Sequence, residues 1–285
     1  MPDVRYPSAA GPFRIARCRG CGVFATCEGE GFVDPTCHYP LHYAAFEQTR
    51  VTADPRPHRP HLPGLPHAIP GRYAWLWQVD AREGIRALDV GCGAGRVGDA
   101  LQRFRGFQVT GIEPNPKAAS QARERGLRVH TGTLESFEAD EPFDVVLMLH
   151  VLEHLPDPLA AVRRAGELLA PSGQLVLALP NVASLERLLL GRHWDAWDVP
   201  RHVHHFGPRS LTRLLKLANF EPGPVRFELY SILGRSLANR RKPDLPYAER
   251  CAGAGLKRLE RHAGRIQAML GISSAMQTVA RWHRR

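Results

Sequence analysis

A short glycine-rich turn between a strand-like and a helix-like segment constrains the fold more than any other feature of this sequence. The run Leu88–Gly95 reads LDVGCGAG; it ends the apolar stretch Ile85–Val90 and opens the amphipathic stretch Gly95–Arg105. Glycines carry no Cβ, so a ligand can lie against the backbone at the start of a helix, where free N–H groups favour an anionic group. The turn therefore predicts a nucleotide-type cofactor site in an α/β fold.

From Gly71 onward, strand-like and helix-like segments alternate, which is the pattern of βαβ units around a parallel sheet. Strands are predicted at Ile85–Val90, Phe107–Glu113, Leu127–Thr131, Phe143–His150, Gln174–Leu179, Pro224–Leu229 and Ala275–Ala280. The main helices between them are predicted at Gly95–Arg105, Pro116–Arg125, Leu159–Leu169 and Arg209–Ala218. The expected fold class is α/β, with a doubly wound, mostly parallel sheet.

Composition divides the chain into three predicted regions. Residues 1–52 form a cysteine-containing extension, and residues 53–70 form a proline-rich linker that we expect to be extended and semi-rigid. Residues 71–285 form the α/β domain, with a basic helical insertion at about 235–272.

Length and composition exclude several classes of protein. The chain has 285 residues, 44% of them hydrophobic, and can bury a core. No apolar run reaches the roughly 20 residues of a membrane-spanning helix, and the N-terminus lacks the layout of a secretory signal. Six cysteines in this length do not make a disulfide scaffold. We therefore predict a cytoplasmic protein.

The net charge of +10 is concentrated near the C-terminus, where residues 235–285 carry twelve Lys and Arg against three Asp and Glu. A helical stretch near 248–270 places these apolar residues on one face: Leu256, Leu259, Ala263, Ile266 and Leu270. Its other face carries Lys257, Arg258, Arg261 and Arg265. Two interpretations stay open: the apolar face packs on the sheet, or the helix contacts an anionic membrane.

The glycine turn alone does not identify its cofactor. Gly93, Gly95 and Gly98 have the G-x-G-x-x-G spacing of dinucleotide folds, so a nicotinamide and another adenosine-bearing cofactor both fit. Glu113 ends the next predicted strand, where an acidic group can hold ribose hydroxyls in both cases.

Four ordered segments narrow this choice: ALDVGCGAGR, GIEPNP, FDVVLMLHVLEHLPDP and LAPSGQLVLALPN. Through them the chain resembles the class I S-adenosylmethionine-dependent methyltransferases over about residues 72–230. The resemblance implies a seven-stranded, doubly wound Rossmann-like sheet. It assigns Asp89, Gly91, Gly93 and Gly95 to the methionine part of the cofactor. Glu113 is assigned to the ribose, Leu134 to the adenine, and His150 to the pocket near the sulfonium. The stretch Asn181–Phe220 is most similar to a bacterial branch associated with glycan and natural-product biosynthesis.

Histidines in two segments are candidates for removing the acceptor's proton. Glu153 and His154 follow the fourth predicted strand, and His204 lies in the PRHVHHF segment beyond the fifth. We expect His154 to be the first candidate base and His204 the second. The two segments also resemble small-RNA 2′-O-methyltransferases. This resemblance implies that Glu153, His154 and His204 hold a divalent metal such as magnesium. A purely structural role for both segments is the remaining alternative.

Cys18-x-x-Cys21 is half of a zinc knuckle, a spacing that lets two thiolates share one tetrahedral ion. Cys27, Cys37 and His38 are candidates to complete the site, although their spacing follows no standard knuckle. The alternative is a remnant that packs on the core.

These features together predict a methyltransferase that transfers a methyl group from S-adenosylmethionine to an oxygen of a small-molecule, sugar or natural-product acceptor. Two alternatives stay open, an RNA 2′-O-methyltransferase-like enzyme with a divalent metal and a nicotinamide-dependent oxidoreductase. The expected partners are a small-molecule or glycan acceptor and an anionic membrane, in preference to nucleic acid.

Overall fold

The computed structural model describes residues 13–28, 31–32, 76, 79, 84–229, 231–241 and 257–283. The predicted linker 53–70, together with Cys37, His38 and Cys251, lies outside these residues.

Twelve strands are present in the described chain, and they form two sheets. They are β1 Arg14–Arg17, β2 Phe24–Glu28, β3 Gly31–Phe32, β4 Arg86–Val90, β5 Gln108–Glu113, β6 Arg128–Thr131, β7 Phe143–Leu149, β8 Leu169–Pro180, β9 His204–His205, β10 Phe220–Pro222, β11 Arg226–Phe227 and β12 Ala275–Trp282. The larger sheet has the order β10-β12-β8-β7-β4-β5-β6, with β11 paired to β12. It contains eight strands where seven were predicted, because Phe220–Pro222 adds a short one.

The centre of this sheet is parallel, which confirms the predicted class. β4 pairs with β5 on one side and with β7 on the other, both parallel, and β5 pairs with β6 in the same direction. Val90 lies opposite Ile112 and Met148, so three strands end at one edge. Ligands of open α/β sheets bind outside such carboxyl ends.

The helices are α1 Arg96–Arg105, α2 Pro116–Glu124, α3 Pro158–Glu167, α4 Leu185–Leu190, α5 Pro208–Leu217, α6 Leu233–Arg241 and α7 Lys257–Met269. The α2 helix begins where the Asn115 side chain accepts the N–H groups of Lys117 and Ala118. Asp157 accepts the N–H groups of Leu159 and Ala160 at the start of α3. Side chains that cap the first turn in this way fix the ends of helices. Asp157 is thus a helix cap.

Two sequence interpretations differ from the structure. Strand β8 begins at Leu169 and continues through Pro171 and Gly173, whereas the sequence predicted a helix up to Leu169 and a strand only from Gln174. Ile266 of α7 and Leu270 directly after the helix are exposed, so the interpretation in which this face packs on the sheet does not hold for these two residues. Hydrophobic periodicity predicts which residues share a helix face, but it does not tell which way that face points.

A smaller sheet joins the N-terminal hairpin to a segment far along the chain. β1 pairs antiparallel with β2, which also pairs with β3 and, through Phe24 and Ala25, with β9. Phe13 packs in a buried cluster with Trp194, Trp197 and Ile232.

The chain divides into two compact units. One, here the histidine unit, comprises Met1–Pro40, Leu149–Arg163 and Val176–Arg281. The other, the glycine-turn unit, comprises Leu41–Met148, Arg164–Leu175 and Trp282–Arg285. A search of the described residues finds no helix with the length and hydropathy to cross a bilayer.

Candidate functional site

The glycine turn follows β4 and takes backbone conformations that only glycine adopts readily. Gly91, Gly93 and Gly95 have φ values of 66°, 53° and 76°, in the left-handed region where a Cβ is unfavourable. Gly95 is also the residue that precedes the first turn of α1. The turn therefore leaves its backbone open at the N-terminus of a helix, as the sequence predicted.

Glu113, at the end of β5, connects the glycine turn to the β5–α2 loop. One carboxylate oxygen accepts the N–H of Gly93 at 2.9 Å, and the other accepts the N–H of Asn115 at 2.9 Å. Burial raises the pKa of Glu113, while these two N–H groups act in the opposite direction. The carboxylate is thus fixed beside the turn, in the position assigned to the ribose by resemblance.

Asp89 lies in β4, opposite Gly111 of β5, and is 3% exposed. Burial and, to a smaller extent, repulsion from Glu113 together raise the pKa of Asp89 to about 7. Two carboxyl groups in one buried region form a site that favours a cation. The ammonium of a bound methionine moiety would supply that charge.

Residues after β6 form a compact turn at the position assigned to the adenine. The Ser136 hydroxyl accepts the N–H of Thr133 and donates to its carbonyl, at 3.1 and 3.0 Å. His130 Nε2 lies 3.1 Å from the same hydroxyl. Leu134, the residue predicted to flank the adenine, has a buried side chain.

In the histidine unit, His150 and Glu153 form a hydrogen-bonded pair immediately after β7. His150 Nδ1 lies 3.2 Å from Glu153 Oε1. Because an ionised carboxylate only accepts hydrogen bonds, Nδ1 carries the proton, and Nε2 carries the lone pair of neutral His150. His150 also has a φ of 58°, which is unfavourable for a residue with a Cβ. Such strained residues cluster at functional sites.

Three further histidines are oriented by backbone carbonyls. His154 Nδ1 lies 3.0 Å from the carbonyl of Arg201, His202 Nδ1 2.9 Å from that of Ala196, and His204 Nδ1 3.1 Å from that of Leu155. A carbonyl only accepts, so each Nδ1 is the donor. Nε2 of His202 also lies 3.7 Å from Asp198 Oδ2. Burial lowers the pKa of His154 and of His204. Both are therefore neutral imidazoles at neutral pH.

Glu153 is buried at the centre of this group. Burial alone would raise its pKa, but the His150 hydrogen bond and the nearby histidines outweigh that effect and lower the pKa to about 2. Its Oε2 atom has no hydrogen-bond partner in the part of the chain that the structure describes. Donor atoms of Glu153, His154 and His202 all lie within 4.8 Å of one another.

Two imidazole nitrogens and one carboxylate oxygen suit a divalent transition metal, and ligating histidines typically donate their other N–H to a carbonyl or carboxylate. The residues present therefore fit such an ion. The set differs from the predicted one, because the structure brings His202 into the group and not His204. His204 is held instead at the Leu155 carbonyl.

Two supports of the histidine segment were missed by the sequence analysis. Thr26 of β2 donates its hydroxyl to the His202 carbonyl at 2.7 Å and lies 3.0 Å from His205 Nε2. The fully buried Arg201 pairs with Asp198 at 2.7 Å. Thr26 gave no local signal, because its partners lie far along the chain.

The cysteine pair lies in the turn between β1 and β2. Cys21 donates its N–H to Cys18 Sγ at 3.5 Å, and Cys18 is exposed. Backbone N–H groups of Cys21, Gly20 and Gly22 lower the pKa of the Cys18 thiol. Cys27 lies opposite Arg14, toward the other end of the hairpin. At about 3.3 Å per residue of strand, this register separates Cys27 from the turn, so it does not complete the site.

Comparison with known proteins identifies the family. Residues 66–223 match the profile described as a methyltransferase domain, which is more than half of the chain. The chain belongs to this methyltransferase family. Its cofactor is S-adenosylmethionine, and a nicotinamide is not needed to explain the glycine turn.

Relatives of this methyltransferase have been described in several bacteria. It is 34% identical over 179 residues to the ubiquinone biosynthesis O-methyltransferase of Xanthomonas campestris pv. campestris, covering 58% of this chain and 74% of the relative. The enzyme of the same name from Azorhizobium caulinodans is 36% identical over 152 residues, covering 49% and 60%.

Solved structures share the fold of the methyltransferase. A SAM-dependent methyltransferase from Thermotoga maritima aligns with a TM-score of 0.53 and 19% identity, covering 75% of this chain and 88% of that one. Magnesium protoporphyrin IX methyltransferase from Synechocystis PCC 6803, with bound SAH, aligns with a TM-score of 0.50 and 15% identity, covering 74% and 80%.

Proposed function

We propose that this methyltransferase transfers the methyl group to a hydroxyl oxygen of a small-molecule acceptor. The His150–Glu153 pair carries the proposal, since a hydroxyl must lose its proton as it is methylated. The names of the relatives, ubiquinone biosynthesis O-methyltransferases, support oxygen as the acceptor atom. The proposed class of acceptors includes hydroxyl groups of phenols, sugars and natural products. We also propose that the protein is located in the cytoplasm.

When bound, the cofactor supplies a methyl group already activated by its sulfonium. The remaining work of the protein is to position the acceptor and to hold a proton. His150 Nε2 accepts the proton of the hydroxyl, and the ionised Glu153 carboxylate stabilises the resulting imidazolium through Nδ1. In this arrangement His150 is the base, and the buried Glu153 carboxylate holds it in the correct tautomer.

This proposal prefers His150 to His154, which the sequence placed first. His154 Nδ1 is held at the Arg201 carbonyl, and its other donor atom lies within the Glu153 and His202 group. His154 is therefore better placed to orient that group than to meet an acceptor. His204, the second sequence candidate, is held at the Leu155 carbonyl and stays an alternative base.

The acceptor atom can be tested with ¹³C-methyl-labelled cofactor. The full chain is incubated with separate panels of catechols, phenols and monosaccharides, and the products are examined by ¹³C NMR. A labelled methyl on oxygen in at least one panel is the expected result. Products labelled only on nitrogen or carbon would contradict the proposal.

The variant His150→Asn is expected to lose methyl transfer by about 10²- to 10⁴-fold, the usual contribution of a positioned acid–base group. Asparagine tolerates the left-handed backbone at this position, so the fold should persist. His193→Asn, an exchange in the turn after α4, is the matched control. Single-turnover rates on the best acceptor measure the effect, with S-adenosylhomocysteine affinity measured alongside. A His150→Asn rate equal to that of the control would remove His150 as the base.

We further propose that a divalent ion binds at Glu153, His154 and His202, where it would act as a Lewis acid toward a hydroxyl oxygen. Mn²⁺ is the suitable probe, because it does not prefer the Cys18 and Cys21 thiolates. We expect electron paramagnetic resonance to show about one bound Mn²⁺ per chain. Glu153→Gln or His202→Gln should lower the Mn²⁺ affinity at least about tenfold. His204→Gln should bind Mn²⁺ normally. Loss in His204→Gln and retention in His202→Gln would restore the ligand set predicted from the sequence.

A further inference from the structure

Helix α7 turns large aliphatic side chains to solvent. Ile266, Met269 and Leu270 are 59%, 85% and 66% exposed. Ile266 and Met269 are three positions apart and therefore neighbours on one helix face. Gln267 and Gly264, in contrast, are buried. A helix of a water-soluble domain normally buries its apolar residues, whereas this helix exposes Ile266 and Met269 beside the exposed Arg265.

Two further elements expose aliphatic residues near the end of α7. Leu188 and Leu189 of α4 are 62% and 67% exposed, and Leu229, after β11, is 66% exposed. Leu185, at the start of α4, donates its N–H to the carbonyl of Ile272, two residues after Leu270. β11 also lies there, since a Cβ on Gly271 would be 3.3 Å from the Phe227 ring.

These side chains are together called the aliphatic surface. They are Leu188, Leu189, Leu229, Ile266, Met269 and Leu270. All six belong to the histidine unit. Exposed aliphatic side chains gathered in one region of a domain mark a place of interaction, whereas single exposed ones do not.

Exposed arginines lie in or next to the elements that carry this surface. Arg265 is exposed in α7, Arg192 is exposed just after the end of α4, and Arg240 is exposed in α6. Glu260 of α7 accepts the N–H of Gly234, so its carboxylate is directed at the start of α6.

We propose that the aliphatic surface and its arginines bind the face of an anionic lipid bilayer, with α7 lying in the plane of the interface. Aliphatic side chains then enter the boundary between headgroups and acyl chains, while the arginines contact lipid phosphates. A second copy of the chain is the poorer occupant, because two strongly basic surfaces repel each other. Nucleic acid is also poorer, since phosphates and bases give no partner to six aliphatic side chains.

This inference does not rest on the proposed methyl transfer, because lipid binding requires neither cofactor nor acceptor. If both hold, the enzyme works at a membrane surface, where acceptors attached to lipids are concentrated. The acceptor class in the preceding section is then extended to hydroxyls on lipid-linked molecules.

The test is co-sedimentation of the full chain with vesicles of phosphatidylcholine, alone or with about one third phosphatidylglycerol. Binding to the anionic vesicles should be at least about tenfold stronger and should fall as salt approaches about 1 M. The double variant Met269→Asp with Leu270→Asp should bind anionic vesicles at least about tenfold more weakly. Leu217→Asp, at a 52% exposed leucine that ends α5 and is not part of the aliphatic surface, is the matched control and should bind normally.

Equal binding to the two kinds of vesicle, or a double variant that binds as wild type does, would overturn the proposal. Light scattering separates the competing occupant: a wild-type dimer that becomes a monomer in the double variant, without vesicle binding by either, assigns the surface to a second copy. Leu188→Asp with Leu189→Asp provides a second test on another element. Matching thermal unfolding and S-adenosylhomocysteine affinity show that the variants are folded.

Discussion

Asp89→Asn is expected to stabilise the unliganded methyltransferase while weakening its cofactor binding. The folded protein raises the pKa of Asp89 from 3.8 to about 7, first by burial and then through repulsion from Glu113. A carboxyl group whose pKa is raised by folding binds a proton more tightly in the folded state than in the unfolded state. Stability is therefore lost as pH rises between these two values. Asparagine has no proton to lose and removes this dependence.

The measurement is urea unfolding of the apo protein at pH 5 and pH 8. Between these values wild type should lose about 3 kcal/mol of unfolding free energy relative to Asp89→Asn. S-adenosylhomocysteine should bind the variant about 100-fold more weakly, because the ligand's ammonium loses a charged partner. Asp140→Asn, at an exposed position, should change neither quantity. Parallel pH dependences of wild type and Asp89→Asn would show that Asp89 is not the group responsible.

The site in the glycine-turn unit could be predicted from the sequence because its determinants are local. The glycines of the turn are required by their own positive φ values, and the flanking strand and helix follow from short periodic patterns. Glu113 occupies the predicted place because it ends β5, directly beside the turn in the parallel register. The predicted strands recur at nearly the same residues, with shifts at their ends.

The site in the histidine unit could be predicted only in part, because its geometry depends on contacts between segments that are distant in the sequence. The sequence indicated that histidines of two segments come together, but it named His204 where the structure brings His202 into the group. That choice depends on where the backbone is held, through the Asp198–Arg201 pair and the bond from Thr26 to the His202 carbonyl. The sequence also could not predict which face of α7 is exposed, because the orientation of a helix depends on what packs against it.

Gly95→Ala is expected to damage both stability and cofactor binding through one atom. A Cβ at Gly95 would lie 2.8 Å from Ala122 Cβ and 3.0 Å from Ala122 Cα of α2. Neither neighbour is the end of a flexible side chain, so the turn and α2 must move apart. The residue also has a φ of 76°, which is unfavourable for alanine. The backbone strain costs about 1 kcal/mol and the overpacking about 2 kcal/mol more.

The chain offers a control that separates these two costs. Gly84 has a φ of 80°, and apart from its chain neighbours no atom of the described residues would lie within 4 Å of a Cβ there, so Gly84→Ala carries the strain without the overpacking. In urea unfolding, Gly95→Ala should lose about 3 kcal/mol and Gly84→Ala about 1 kcal/mol. By calorimetry, S-adenosylhomocysteine should bind Gly95→Ala at least about tenfold more weakly and Gly84→Ala normally, since only the first substitution displaces the turn. Equal losses in the two variants would mean that α2 yields to the added methyl group, and that close packing of the turn on α2 is not what shapes the cofactor site.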